Sequence, residues 1–317
     1  MSYIDLMQGD CLIEAESVPS GSVDLILTDL PYGNMKGAQL DGWGGTKTNW
    51  DNAITPSKVH KLANRILRMN GRMVLFSQEP YTTELVKSAH DNVPFAYRMI
   101  WEKDHFANSL VAKKAPVSYY EDVLVFSKSH DTEGLHPLRA YGKKCSEFIS
   151  KTRQERKLML GHRGSDHFLE NSSDPLQFSL CTEKTYKELV SVFKLNTMDG
   201  FMPYDELRAI DKRFDSTFNL WDGGKHKSNI FRYKKDYDGY HPTQKPVLLL
   251  EDLIKTFSNE GDTVVDLTMG SGSTGVACKN TGRNFIGMEL DENYFNIAQD
   301  RIKNHKQYGK VIDLDHE

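Results

Sequence analysis

Two short segments of this 317-residue chain carry residue types that could do chemistry. The first is Thr28-Asp29-Leu30-Pro31-Tyr32-Gly33, directly after an apolar run. The Asp29 carboxylate and the Leu30 backbone carbonyl are two neighbouring acceptors, and the Tyr32 ring offers a face on which a planar base can stack. The exocyclic amino nitrogen of adenine or cytosine is a poor nucleophile, because its lone pair is delocalised into the ring. Two acceptors that hold its hydrogens drive it towards tetrahedral geometry. Methyl transfer from a sulfonium then needs little beyond positioning and electrostatics. Taken alone, the tetrapeptide also reads as a type I turn with proline at a favoured position.

The second segment is Asp266-Leu267-Thr268-Met269-Gly270-Ser271-Gly272-Ser273-Thr274-Gly275. Its glycines let the backbone approach a ligand closely, and the amides of a following helix point at negative charge. About twenty residues on, Phe285-Ile286-Gly287-Met288-Glu289 ends a strand in an acid, placed as a ribose-binding acid is in nucleotide folds. The turn is neither GxGxxG nor GxxxxGK[ST], so neither a dinucleotide nor ATP is favoured.

The elements that must position these segments alternate. Residues 3–7 and 23–28 read as strands, the latter of the buried parallel kind, with a short helix over 11–16 between them. Thr55 caps a helix with Pro56 at its first position, which Gly71 is expected to stop before a strand over 72–77. Further strands are predicted at 95–101 and 119–127. From about residue 130 to 235 alternation lapses, although Tyr186, Leu189, Val190 and Phe193 mark one amphipathic helix. Alternation resumes with a helix over 246–258, a strand at 263–267, a helix over 273–280, a strand at 284–289 and a helix capped by Asp291. The pattern predicts an α/β fold, a doubly wound seven-stranded sheet with an insertion. The expected divisions are 1–129, an inserted lobe over 130–235, 236–305, and a polar tail over 306–317.

At these residues the sequence resembles the DNA amino-methyltransferases with a DPPY-type motif. Their tetrapeptide stands here as Asp29-Leu30-Pro31-Tyr32, and their cofactor loop, often DPFxGSGTT, as residues 266–274. Tyr240-His241-Pro242-Thr243-Gln244-Lys245-Pro246 is similar to the HPTQKP block that precedes the cofactor strand. The catalytic motif comes first, the order of the beta group, whereas RNA and protein enzymes with NPPY motifs usually have the reverse. The resemblance covers residues 1–127 and 240–305 and implies S-adenosyl-L-methionine as cofactor and the fold of enzymes that use it. It implies that Asp266, Gly270 and Gly272 line the methionine end, Glu289 the ribose, Lys245 the methionine carboxylate and Asp10 the adenine. Asp29, Leu30, Pro31 and Tyr32 would form the base pocket. An aspartate opening the motif favours N6 of adenine in a specific duplex sequence, with base flipping; cytosine N4 is the alternative, and a non-catalytic DNA-binding module the rival of another class. Two departures stand out: Leu30 replaces the first proline, which lowers loop rigidity, and Thr268 replaces a phenylalanine, which removes apolar contact with the cofactor.

Composition fits this reading. With 38% hydrophobic and 26% charged residues the chain is an ordinary globular one, and its net charge of −4 argues against a protein that coats nucleic acid. Between Arg139 and Arg163, however, eight Lys/Arg face two acids, a local +6. The inserted lobe is therefore expected to recognise double-stranded DNA, with Lys143, Lys144, Arg153, Arg156, Lys157 and Arg163 as phosphate-contact candidates beside Trp50, from the loop after Tyr32. A solvated polar face, or a lobe that binds a protein partner, are the bland alternatives. No metal is expected, since the histidines and four scattered cysteines lack ligand spacing. Short apolar runs and a start without a signal-type segment lead to a cytoplasmic expectation with no membrane partner. A homodimer, a companion restriction endonuclease and a phage setting are left open.

Overall fold

The computed structural model describes residues 2–32, 54–107, 112–130, 136–169, 178–236, 240 and 244–305. The chain divides into two compact units, the first comprising residues 1–67, 71–127 and 217–317 and the second 68–70 and 128–216.

The first unit opens with β1 (Ile4–Gln8), α1 (Cys11–Glu14), β2 (Val23–Asp29), α2 (Pro56–Ile66), β3 (Leu67–Ser77), α3 (Tyr81–Lys87), β4 (Phe95–Ala107) and β5 (Ser118–Ser127). The second unit holds α4 (Leu138–Ile149), α5 (Arg153–Leu160), α6 (Asp166–Leu169), α7 (Glu183–Phe193) and α8 (Tyr204–Lys212). The first unit then resumes with β6 (Ile230–Arg232), α9 (Val247–Phe257), β7 (Thr263–Asp266), α10 (Ser273–Thr281), β8 (Asn284–Glu289) and α11 (Glu292–Asn304).

The eight strands of the first unit form one sheet in the order β1-β8-β7-β2-β3-β5-β4-β6. From β1 to β3 all neighbours are parallel, and β5 runs antiparallel to both β3 and β4. Successive strand residues face opposite sides, so each inner strand must be apolar on both. In β2, Ile26 joins one core with α1, α2 and α3, while Leu25 and Leu27 join the other with α9, α10 and α11. Likewise Met73 and Leu75 face the first core and Val74 and Phe76 the second. Each such side chain, withdrawn fully from water, contributes about 1.5–3 kcal/mol.

Three differences from the sequence expectation have physical causes. There are eight strands rather than seven among the described residues, because residues 230–232 lie parallel to the edge of β4. Residues 217–235, expected in the inserted lobe, accordingly belong to the first unit. Gly71 does not stop the helix: α2 already ends at Ile66, because Leu67 turns extended and pairs with Val23.

The second unit is a small helical body around Leu138, Tyr141, Cys145, Phe168, Tyr186 and Leu189. The Tyr186 hydroxyl donates to the Met202 carbonyl at 2.7 Å, and the Met202 amide donates to the Tyr141 hydroxyl at 3.0 Å, so both buried phenols are satisfied. A capping box, Thr152 with Glu155, starts α5, and Thr182 caps α7, the helix that the periodicity marked.

Candidate functional site

Strands β2 and β7 lie side by side with Leu25 opposite Val264 and Ile26 opposite Val265. The segments that follow them, far apart in sequence, therefore emerge at neighbouring carboxyl ends. The helix after β2 covers one face of the sheet and the helix after β7 the other. That reversal opens the crevice in which doubly wound folds bind ligands.

The two loops are joined by hydroxyl groups. The Thr268 hydroxyl donates to the backbone carbonyl of Asp29 at 2.9 Å and lies 2.9 Å from the Thr28 hydroxyl. Leu30 is buried in the core, and Tyr32 is half-buried, tilted 37° to the Tyr81 ring with centroids 5.9 Å apart.

Asp29 sits at one end of a chain of alternating charges. Its Oδ1 accepts from the Tyr32 hydroxyl at 2.6 Å and its Oδ2 from the Lys245 ammonium. Lys245 also lies 3.3 Å from Glu121, and Glu121 pairs with Lys103. The Lys245 side chain keeps 7% of its exposure, Glu121 10% and Lys103 4%, whereas Asp29 keeps 25% and is the member open to a ligand. Burial pushes the Asp29 pKa up, and Glu121 adds to that; the attraction of Lys245 offsets only part of it. Burial also opposes the charges of Glu121 and Lys245. Nevertheless, Lys245 and Lys103 hold Glu121 below the usual carboxylate range, while Asp29 and Glu121 hold Lys245 above the usual amine value. Burial first, then the charge of Asp29, raises the Tyr32 phenol well above its ordinary value. Asp29 is thus an acceptor of raised basicity, fixed at both oxygens.

On the other side of the crevice, Asp266 is buried and accepts from the Thr274 hydroxyl at 2.6 Å and the Thr268 amide at 3.1 Å. Burial pushes its pKa up to about 6 despite these donors. Glu289 accepts from the Gly270 amide at 2.9 Å on one oxygen and the Asp291 amide at 2.8 Å on the other. Gly270 has φ +52°, and a Cβ built there meets nothing within 4 Å, so its backbone faces open space. Gly272 is glycine for another reason: at φ +81° its Cβ would lie 3.0 Å from Ala298 and Ile302, so it packs against α11. Asp10 is exposed and caps α1 through the Leu12 amide, and the adjoining Gly9 amide donates to the Glu289 carbonyl at 2.9 Å. These residues fit a cationic nucleoside cofactor. Asp266 offers a buried carboxyl, Gly270 an unobstructed backbone, and each Glu289 oxygen retains capacity for one more donor.

The resemblance implies Lys245 beside the cofactor carboxylate; in the structure its ammonium lies between Asp29 and Glu121. Glu121, Lys103 and the Thr28–Thr268 contact had no sequence assignment. The signal was an acid at the head of an apolar strand, Glu121 before Val123-Leu124-Val125-Phe126, where an unpaired charge is expensive.

Of the DNA candidates, Trp50 lies outside the described residues. Lys143 pairs with Glu147 at 3.9 Å, Lys144 with Asp199 at 3.7 Å and Arg153 with Asp166 at 2.7 Å. Arg156 is buried and donates to the Lys151 carbonyl at 2.8 Å, a tie within its own unit. Lys157 and Arg163 are exposed. Among the described residues no group of His, Cys, Asp and Glu is placed to hold a metal, and no helix is long and apolar enough to cross a membrane.

A doubly wound sheet with a carboxylate tetrapeptide and a glycine loop at adjacent strand ends defines an α/β enzyme that brings a nucleoside cofactor to a second substrate. The family model described as DNA methylase, covering N6 and N4 enzymes, matches residues 23–300, and the chain belongs to that family. Enzymes of this family transfer a methyl group from S-adenosylmethionine to an amino group of a DNA base. The DNA adenine methyltransferase YhdJ of Escherichia coli (strain K12) is 24% identical over 300 residues, covering 94% of this chain and 82% of that one. The type II methyltransferase M.HindIII of Haemophilus influenzae is also 24% identical, over 328 residues, 96% of this chain and 98% of that enzyme. Among solved structures, the PvuII DNA methyltransferase, described as cytosine-N4-specific, superposes with a TM-score of 0.53 at 15% identity, covering 97% of this chain and 89% of that one; it shares the fold.

Proposed function

We propose that this chain methylates N6 of adenine within a specific sequence of duplex DNA, extruding the target base to reach it. The observation that carries this reading is Asp29, partly open and of raised basicity, at a strand end hydrogen-bonded to the cofactor loop through Thr268. The cofactor supplies a methyl group on a sulfonium, already a good donor, so the protein's task is to hold and orient the acceptor.

Asp29 accepts one amino hydrogen of the extruded base, the Leu30 carbonyl accepts the other, and Pro31 fixes the backbone between them and Tyr32. The Tyr32 ring stacks on the base. As nitrogen becomes substituted it must lose a proton, and a carboxylate whose pKa burial has raised is suited to take it. Asp266 and Gly270 serve the methionine end and Glu289 the ribose. Asp10, next in sequence to Gly9, whose amide donates to the Glu289 carbonyl, serves the adenine end. The second unit is the target-recognition lobe, with Lys157 and Arg163 free to reach phosphates.

Adenine is favoured by aspartate at position 29 and by the relative named as an adenine enzyme. DNA modified by the purified protein, digested to nucleosides and separated, should contain N6-methyladenine. N4-methylcytosine alone would overturn the choice of base and install the alternative. Mapping modified positions in genomic DNA from expressing cells gives base and recognition sequence together, and the same cells reveal whether a companion endonuclease is needed. Sedimentation tests the homodimer.

A further inference from the structure

Leu30 carries no ring to fix its φ, yet the peptide unit between Asp29 and Leu30 must hold still if the Asp29 carboxylate and the Leu30 carbonyl are both to meet one amino group. Thr268 grips that peptide. Its hydroxyl donates to the Asp29 carbonyl at 2.9 Å, and a carbonyl only accepts, so the single hydroxyl proton of Thr268 is committed there. The Thr28 hydroxyl lies 2.9 Å from that of Thr268 and also hydrogen-bonds the Asp266 carboxylate, so it braces the same junction. Thr268 is itself anchored: its amide donates to Asp266 Oδ1 at 3.1 Å, and Asp266 Oδ2 accepts from Thr274 in the first turn of α10 at 2.6 Å. Thr274, Asp266, Thr268 and Asp29 thus run without a break from α10 to the peptide that lies between the two base-side acceptors.

We propose that Thr268 is a positioning residue that fixes the Asp29–Leu30 peptide by a hydrogen bond, and that the two departures of this chain from its family motif, leucine at 30 and threonine at 268, belong together. A ring at position 30 would restrict the rotation; here a hydroxyl from the neighbouring loop does so. The tether also links the cofactor loop mechanically to the base-side acceptors.

This inference rests on the proposed methyl transfer for its kinetic arm but not for its structural one. In the structural arm, amide hydrogen exchange is followed over residues 28–32 in cofactor-free protein. Thr268→Val, nearly isosteric, should raise exchange there on the order of tenfold, as expected for loss of one buried hydrogen bond, while Thr268→Ser should stay near wild type. Thr28→Val, which leaves the Thr268–Asp29 bond in place, should change it less than Thr268→Val. Unchanged protection in Thr268→Val overturns the tether whatever the enzyme does. In the kinetic arm, Thr268→Val should lower kcat for DNA methylation on the order of tenfold, with cofactor KM within about threefold and serine restoring kcat. A cofactor KM that rises while kcat holds overturns the positioning role and makes Thr268 a cofactor contact. A wild-type protein without activity on DNA but with the exchange pattern described refutes the proposed function and leaves the tether standing. Should Thr268→Val melt well below wild type, Thr268→Ala and Thr268→Ser decide the matter by the same two readouts.

Discussion

At the end of β2, Lys245 faces two carboxylates with 7% of its side chain exposed, while on α4 Lys143 reaches Glu147 at 3.9 Å with 58% exposed. The same residue types meet in both places, but the surroundings give the pairs different work. Around Asp29 the partners are out of water, so removal of one leaves a charge with nothing to replace it. On the second unit water and salt screen the pairs, so those of Lys143 and Lys144 can be broken at little cost. The site is held rigid by its charges; the lobe keeps its charges negotiable.

The largest expected effect lies at the rigid end. Asp29→Ala should lower methyl transfer on the order of 10³-fold, with cofactor binding retained, since it removes an acceptor aimed at the reacting group. Single-turnover methylation and calorimetric cofactor titration together check this. Methylation within about threefold of wild type would break the assignment.

Lys245→Met comes next. It leaves Asp29 and Glu121 facing each other without the cation between them, and stability should fall by about 3–5 kcal/mol near neutral pH. The pH dependence has a definite sign. Burial and Glu121 already raise the folded-state pKa of Asp29, and loss of Lys245 raises it further. A carboxyl raised in this way helps the fold fully below its unfolded pKa and loses that help as pH rises through the folded value. The variant should therefore regain stability on acidification, seen as a rise in urea midpoint. A midpoint deficit that does not change with pH would mean that packing, not charge, was lost.

A smaller effect is expected at the cofactor end. Burial holds Asp266 at about pH 6, so a cationic cofactor, which prefers the ionised carboxyl, should bind more weakly as pH falls through that value. Affinity should drop roughly tenfold from pH 7 to pH 5 and stay flat in Asp266→Asn. The smallest effects belong to the lobe. Lys157→Ala and Arg163→Ala should each reduce the slope of log affinity for DNA against log salt by about one and leave methylation of a saturating substrate unchanged. A loss of activity at low salt would place them nearer the chemistry than a phosphate contact.

Much of the fold was legible from the order of apolar runs and turns, because strands buried on both faces leave long hydrophobic signatures and α11 announces itself with Asp291, whose carboxylate accepts from the Asn293 and Tyr294 amides. β6 was not: three residues, two of them exposed, carry no periodicity, and only the open edge of β4 makes them a strand. Gly71 misled for a related reason, since pairing of Leu67 with Val23 overrode a local helix-stop signal. The basic segment was legible as charge and not as surface. Arg156 points inward, and Arg153 is committed to Asp166, which spacing along a sequence does not reveal.

What the sequence by itself determined is the set of chemical parts and their order: Asp29-Leu30-Pro31-Tyr32 after one buried strand, a glycine loop after another, an acid ending a third. Those follow from local patterns, where each residue's neighbours in the chain suffice. Only the tertiary structure decided how the parts engage. Asp29 and Lys245 are separated by 216 positions, and Thr28 and Thr268 by 240. They meet because β2 and β7 pair in one register, which places their ends together, and because β5 brings Glu121 into a space too dry for a charge to stand alone. Such meetings are set by strand order and burial, and no local spacing encodes either.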